Sequence, residues 1–310
     1  MRLFKKIVCP IDFSEYSDLA FQYAVALAEE NDSKLIVCHS ILDFAQAFVY
    51  LEGNYAETVY DALVSSAIVR LEEFVGKFHS TVKPSQRIMR GNPAQTTLDL
   101  STRENADLIV MGTHGIGGYD RFLMGSVTNK VLHKATMPVL VVCKPTHHFI
   151  TKEGPRRVAI NHILCALDLE SNNKQFVDLA LSIARMYDAE IQFLHVIEKP
   201  AATDPHEQEQ ETLDKLKKMI DPEKEEWCKA ACSIKRGRAA NEILKTVDEE
   251  AIDLLVMGHH SRRPIDELFL GSVAKKLVST SNCPVMVVRL TPEEMGTESE
   301  EAAFAGDIIL

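Results

Sequence analysis

Residues 111–126 read MGTHGIGGYDRFLMGS, and residues 257–272 read MGHHSRRPIDELFLGS. Each stretch begins with Met-Gly after an apolar run and closes on Gly-Ser, a pair suited to a helix start. Gly112 and Gly258 lie 146 positions apart, and so do Gly125 and Gly271. Glycines held at fixed places in a loop mark backbone that passes close to something or turns with positive φ. A loop leading from a strand into a helix N-terminus is where a phosphate can sit, because the first helical amides have no intrahelical acceptor.

The repeat extends outward from this loop. Arg90-Gly91 returns as Arg236-Gly237, and Asp107-Leu-Ile-Val-Met-Gly returns as Asp253-Leu-Leu-Val-Met-Gly. Met137-Pro-Val-Leu-Val-Val returns as Cys283-Pro-Val-Met-Val-Val. Near the start, Ile7-Val-Cys-Pro-Ile-Asp12 returns as Ile163-Leu-Cys-Ala-Leu-Asp168, at an offset of 156. The second copy is therefore about ten residues shorter between its second strand and its Arg-Gly, a length change confined to one stretch of an otherwise common fold. Two long copies are not a solenoid. They divide the chain into domains at 1–146 and 157–291, followed by a tail at 292–310. The polar stretch Lys144–Arg157, with Pro145, Gly154 and Pro155, reads as the linker.

Short β-branched apolar runs predict strands over Lys6–Asp12, Lys34–Ser40, Gln86–Arg90, Asp107–Gly112 and Pro138–Val142. Tyr16, Leu19, Ala20, Tyr23, Ala24, Leu27 and Ala28 recur at helical spacing, with Ser14 or Ser17 as the cap. Further helices are predicted over Thr58–Phe78, Pro93–Asn105 and Ser126–Lys134, while residues 43–60 read as an insertion of weak periodicity. The second half repeats the order, with strands over His162–Asp168, Glu190–Ile197, Ser233–Arg236, Asp253–Gly258 and Pro284–Arg289. Strands alternating with helices predict an α/β fold in each half, a five-stranded parallel sheet with helices on both faces. The fifth strands, Pro138–Val142 and Pro284–Arg289, would be apolar sheet edges, and bare edges seek partners. Their mutual pairing predicts a pseudo-dimer inside one chain, and association into a homodimer is also open.

At 310 residues, with 46% hydrophobic and 25% charged residues, the chain can bury two cores. A net charge of −11 argues against nucleic acid as a partner. The tail holds Glu293, Glu294, Glu298, Glu300, Glu301 and Asp307 without Lys or Arg. Disorder is the expectation there, with docking on the fold or a partner as the alternative. No run approaches the roughly 20 apolar residues of a membrane span. Met1-Arg-Leu-Phe-Lys-Lys leads into a strand without the apolar stretch of a signal peptide, so a cytoplasmic location is expected. The seven cysteines include Cys9, Cys38 and Cys165 inside strand-like runs, which read as buried reduced thiols. Cys228 and Cys232, four apart, read as helical, without a ligand set for a metal.

In an open parallel sheet, ligands bind beyond the carboxyl ends of the strands where strand order reverses. The first strand ends in Asp12 and the fourth in Gly112. If these strands are neighbours, Asp12 faces the glycine loop and can accept hydrogen bonds from ribose hydroxyls, or it can serve only as a helix cap. Amides near Gly112, Gly115, Gly125, Ser126 and Val127 can donate to phosphate oxygens. The Ser126 hydroxyl can add a donor or a ligand to phosphate-bound Mg²⁺. The loop lacks the Gly-x-x-x-x-Gly-Lys-[Ser/Thr] of hydrolytic P-loops and the Gly-x-Gly-x-x-Gly of dinucleotide sites. His114, His259 and His260 read as exposed loop histidines, since no orienting partner for a catalytic histidine can be assigned.

On these residues the chain resembles the universal stress protein family in its tandem two-domain form. ATP-binding members of that family carry Gly-x2-Gly-x9-Gly-[Ser/Thr], and Gly112-x2-Gly115-x9-Gly125-Ser126 matches in full. Pro10-x-Asp12, His39, Gly91-x-Pro93 and Pro138-Val-Leu-Val-Val match as well. The resemblance implies Rossmann-like or flavodoxin-like domains of strand order 3-2-1-4-5. It also implies a first nucleotide site that includes Pro10, Met111 and His114 beside the residues above. In family members the backbone after the second-strand His contacts adenine, a position that falls on Ser40 here and on Val196 in the repeat. The second site would comprise Asp168, Val196, Gly258, Ser261, Gly271 and Ser272. It departs from the pattern, since Ser261 stands where the first copy has Gly115, and Ala166 and Ala239 replace Pro10 and Pro93. A β-carbon at 261 would obstruct phosphate or force a strained φ, while Arg262 and Arg263 could offset the loss by pairing with phosphate.

The resulting expectation is a stress-response regulator that holds ATP with Mg²⁺ and hydrolyses it slowly or not at all, with no catalytic residues and no metal held by protein alone. A nucleotide-independent interaction or chaperone-like protein is the first alternative. A hydrolase or nucleotidyl transferase is the second, and the missing catalytic set counts against it.

Overall fold

A computed structural model describes residues 2–42, 55–115, 124–143, 148–150, 157–169, 174–198, 204–220, 229–259 and 270–289. Residues 43–54 of the predicted 43–60 insertion, the centre of the glycine loop, most of the linker, Cys228, His260–Arg263 and the tail lie outside them, while 55–60 open a helix and are not irregular.

The first half runs β1 (Lys6–Pro10), α1 (Glu15–Asn31), β2 (Lys34–Ile41), α2 (Tyr55–Gly76), β3 (Ser85–Arg90), α3 (Pro93–Glu104), β4 (Leu108–Gly112), α4 (Ser126–Lys134) and β5 (Val139–Val142). The second runs β6 (His162–Ala166), α5 (Lys174–Tyr187), β7 (Glu190–Ile197), α6 (Pro205–Met219), β8 (Lys229–Arg236), α7 (Ala239–Glu249), β9 (Leu254–His259), α8 (Ser272–Thr280) and β10 (Val285–Arg289).

All ten strands form one sheet of order β3-β2-β1-β4-β5-β10-β9-β6-β7-β8. Each half is parallel with order 3-2-1-4-5, and the halves meet where β5 and β10 pair antiparallel. Val141 lies opposite Val285 and Leu140 opposite Met286. The two apolar edges expected from the sequence therefore satisfy each other within the chain. Strand residues alternate between two cores. Ile7, Val37, Val110 and Leu140 face one side with Phe21 and Phe176 of α1 and α5, whereas Ile109, Met111 and Val141 face the other with Val131 and Leu277 of α4 and α8. Both of these clusters run through the two halves, so the domains share their apolar interior, while a third and smaller cluster of Val8, Ile36, Cys38, Leu100 and Ala106 belongs to the first half alone.

Several pins recur in both copies. Asp107 Oδ2 accepts from the amides of Lys5 and Lys6 at 2.7 and 2.8 Å, and Asp253 Oδ2 accepts from Asn161 and His162 at 2.8 and 3.0 Å. Gly91 and Gly237 have φ of +126° and +145°, which only glycine adopts readily.

The structure corrects two expectations. Cys232 lies on β8, not on a helix, because all eight residues Lys229–Arg236 pair with β7 and ladder bonding overrides the helix preference of Ala230 and Ala231. The linker also holds more than polar spacer, since Phe149 and Ile150 are buried, Ile150 bridges Val158, and His148 Nδ1 lies 3.0 Å from the Tyr23 hydroxyl. Helix α6 takes the place of α2 in the repeated order, with no bounds predicted for it from the sequence. Its start signals are Asp204, which caps the amides of His206 and Glu207, and Pro205 in the first turn. Leu216 is its one fully buried side chain, so its apolar stripe is faint. Among the described residues no helix is long and apolar enough to cross a membrane.

Candidate functional site

Strand β1 pairs with β2 on one side and β4 on the other, so the chain reverses its lateral direction there and leaves a crevice at the carboxyl ends. A cavity of about 510 Å³ occupies it. All ten first-half residues expected at the site line this cavity, from Pro10 at the end of β1 and Asp12 just past it through Ser40 after His39 to Met111, Gly112, His114 and Gly115. Gly125, Ser126 and Val127 complete it at the start of α4. Ile11, Ser17, Cys38, Thr97 and Thr128 also border it. No sequence pattern marked these, because they reach the crevice through sheet register and helix docking.

Asp12 serves as a cap and as a wall of the cavity. Its Oδ1 accepts from the Ser14 amide at 3.0 Å and from the Ser17 hydroxyl at 2.6 Å. Its own amide donates to Ser17 Oγ at 2.9 Å. Ser14 is the true N-cap of α1 and accepts from the Ser17 amide. Both candidate caps are thus used, one at the helix and one at the aspartate. The other carboxylate oxygen, Oδ2, fills the space that a β-carbon on Gly115 would need.

Gly112, Gly115 and Gly125 are required by close approach, since none of these three has a left-handed φ. A β-carbon on Gly112 would lie 2.8 Å from Tyr16 Cβ and 3.0 Å from Tyr16 O, which binds the end of β4 to α1. One on Gly125 would lie 3.0 Å from Thr113 O. The Gly125 amide already donates to Thr113 O at 2.8 Å, so it is turned inward and is not a phosphate donor as expected. The first bond of α4 runs from the Asn129 amide to Gly125 O, leaving the Ser126 and Val127 amides without an intrahelical acceptor. The Thr128 hydroxyl donates to Gly112 O at 2.8 Å and fixes this helix start to the end of β4.

His114 and His259 are not exposed, in contrast to the sequence expectation. They are 8% and 5% exposed, because the chain just past β4 and at the end of β9 is still under the lip of the sheet. His114 Nδ1 lies 2.9 Å from Thr113 Oγ1 and its ring packs beside Tyr16. Its Nε2 is buried and finds no partner among the described residues, beside the cavity wall. A buried polar atom left in this state is costly unless something else satisfies it. His259 instead packs edge-on to His133 of α4, across the seam between the halves.

At the far end, Ser40 Oγ lies 2.7 Å from Thr96 Oγ1. His39 Nδ1 meets Ile11 O at 2.9 Å, and the repeat reproduces this with His195 Nδ1 and Leu167 O at 2.8 Å. Burial pushes the Cys38 thiol up to about 12, which makes it an inert wall and not a nucleophile.

The second half assembles only part of its set. Asp168 follows β6, which pairs with β9, so Asp168 and Gly258 lie at the same end of neighbouring strands. Val196 is buried on β7, and Gly271 caps α8 ahead of Ser272. Among the described residues a β-carbon on Gly271 would meet nothing within 4 Å, whereas one on Gly125 meets Thr113 O. Ala274 stands where the first half has Thr128 and cannot tie α8 to Gly258. Ser261, Arg262 and Arg263 lie outside the described residues.

Comparison with known proteins agrees with this architecture. The model of the universal stress protein family matches twice, over residues 3–143 and 159–289. A universal stress protein of Mycolicibacterium smegmatis is 25% identical over 297 residues, 91% of this chain and 96% of its own. One from Methanocaldococcus jannaschii is 35% identical over 148 residues, covering 46% of this chain and 84% of its own. The crystal structure of a universal stress protein from Archaeoglobus fulgidus superposes with a TM-score of 0.66 at 17% identity, over 93% of this chain and 97% of its own, a likeness of fold. With two matches in series, a repeated 3-2-1-4-5 sheet and a relative of nearly equal length, the chain belongs to the universal stress protein family as a tandem two-domain member.

Proposed function

We propose that this protein binds ATP in the first-half cavity and acts as a nucleotide-dependent regulator of the stress response, with little or no hydrolysis. The observation that carries this reading is the opposition of the Asp12 carboxylate and Gly115 across the crevice, with the open amides of Ser126 and Val127 beside them. Asp12 would accept from the ribose hydroxyls. The α4 amides and the Ser126 hydroxyl would donate to phosphate oxygens, where the helix dipole also favours negative charge. Pro10, Ile11 and the segment at Ser40 leave an apolar slot for the base. The glycine spacing is the one carried by ATP-binding members of the family. Among the described residues no three His, Cys, Asp or Glu side chains gather to hold a metal ion, so Mg²⁺ would come with the phosphates. Buried free cysteines suit a reducing compartment, in keeping with a cytoplasmic location.

One observation favours a nucleotide-independent interaction role. Helix α2 exposes four large apolar side chains, Val59, Leu63, Ile68 and Val69, and apolar groups left in water are what partners use. Thermal unfolding with and without ATP–Mg²⁺ separates the readings. Ligand at about a hundred times its dissociation constant stabilises the folded state by about 2.7 kcal/mol. An unchanged midpoint at millimolar ATP would remove the nucleotide and leave the interaction role.

A further inference from the structure

Phe13 has φ of +66°, a left-handed conformation that is a genuine outlier for a bulky side chain. It sits between Asp12 and the cap Ser14, so this torsion sets where the Ser14 amide and the Ser17 hydroxyl stand relative to the Asp12 carboxylate that they bond. The other positive torsions are shared by the two halves. Asp32 and Asn105 have φ of 51° each, and the equivalent Asp188 and Ala251 have 51° and 49°. Phe13 is the exception, because its equivalent Leu169 does not adopt a positive φ. A strained torsion confined to the half with the complete glycine loop needs a local restraint and a local use.

The restraint is visible. The Phe13 ring lies 4.5 Å from the His39 ring, and His39 is itself bonded to Ile11 O. The Arg70 guanidinium carbon lies 4.3 Å from the Phe13 centroid, and Phe74 meets the ring edge-on at 5.8 Å. Arg70 and Phe74 both belong to α2, four residues apart on one face. Phe13 does not itself line the cavity. A relaxed Phe13 would swing Ser14 away from Asp12 and break the bonds that orient its carboxylate.

We infer that Arg70 and Phe13 are positioning residues for sugar recognition, holding the Asp12 carboxylate toward the 2′- and 3′-hydroxyls of a ribonucleotide. This rests on the ATP reading and deepens it, since it names the part of the ligand that the restraint serves and gives a role to a surface arginine outside the cavity.

The test is calorimetric titration of the full chain with ATP–Mg²⁺ and with 2′,3′-dideoxy-ATP–Mg²⁺. Asp12→Asn marks the loss of sugar recognition. Arg70→Gln removes the cation from the ring, and Arg70→Lys restores a cation. Phe13→Leu copies the second half. Arg70→Gln is expected to weaken ATP by about two- to fivefold, the scale of an exposed cation–π contact, and to leave the dideoxy nucleotide unchanged. The preference for ATP thus shrinks toward that of Asp12→Asn. Arg70→Lys should recover most of the loss, and Phe13→Leu should match or exceed the Gln variant. Equal weakening of both nucleotides, or an unaltered preference in Arg70→Gln, overturns the inference while the ATP reading stands. Arg70 is exposed on its helix, so that variant carries the test even if Phe13→Leu fails to fold. Absence of ATP binding by the unaltered chain overturns the reading and the inference together.

Discussion

Gly115 has no side chain because Asp12, some hundred residues earlier, occupies the place where one would be. The two meet because β1 and β4 are neighbours, so a strand end and a loop glycine become opposite walls of one crevice. Alanine at 115 must displace the carboxylate or the loop. Gly115→Ala should weaken ATP binding about tenfold or more, on the scale of 1–3 kcal/mol for overpacking, with a small change in unfolding midpoint. Titration calorimetry checks the first effect and thermal unfolding the second.

Gly112 differs, because its β-carbon would strike the backbone and Cβ of Tyr16, neither of which can yield without moving α1. Gly112→Ala should cost about 1–3 kcal/mol of stability. Gly271→Ala, whose β-carbon meets nothing among the described residues, should fall within about 0.5 kcal/mol of the unaltered protein. Denaturant melts of both variants should rank them in this order. Equal losses would contradict the close approach at Gly112.

Thr128 holds the start of α4 through its hydroxyl on Gly112 O. Thr128→Val keeps the shape and removes the donor, and should cost about 1 kcal/mol, more if Gly112 O stays buried and unpaired. ATP affinity should fall as well, because the Ser126 and Val127 amides depend on the same helix start. The comparison of stability with affinity in this variant measures how far the helix start governs binding.

The seam between the halves is continuous core. Leu140 is fully buried opposite Met286. Leu140→Ala should cost about 2–5 kcal/mol. Because the two larger core clusters span both halves, calorimetric scans should show the whole chain unfolding in one transition at a lower temperature. A second half that melts independently at its original temperature would contradict this.

His133 lies at the same seam. Burial, with the nearby Arg289 charge, holds its imidazole below the usual 6.5. A group whose folded value is depressed resists protonation in the native state, while the unfolded chain takes up the proton. Stability from the neutral ring is therefore present above about pH 6.5 and is lost as pH falls below it. His133→Gln should flatten the decline in stability between pH 7.5 and pH 5.5, the range that brackets an ordinary histidine. Urea midpoints across that range check the sign.

Much was legible in the residues themselves. The alternation of short β-branched runs with helical stripes, repeated at offsets of 146 and 156, determined two parallel α/β halves. The spacing Gly112-x2-Gly115-x9-Gly125-Ser126 pointed to the loop that lines the cavity. These are local properties, set by side-chain periodicity and by the steric freedom of glycine within a few residues. Burial of His114 and His259, the place of Cys232 on a strand, the inward turn of the Gly125 amide and the clamp of Arg70 on Phe13 were decided only by the tertiary structure. Each depends on a partner distant in the chain, and no local pattern encodes which distant group will arrive. The join between the halves divides in the same way. Apolar fifth strands announce that an edge must be covered, but their antiparallel register, Val141 on Val285, follows from the docking of two complete cores.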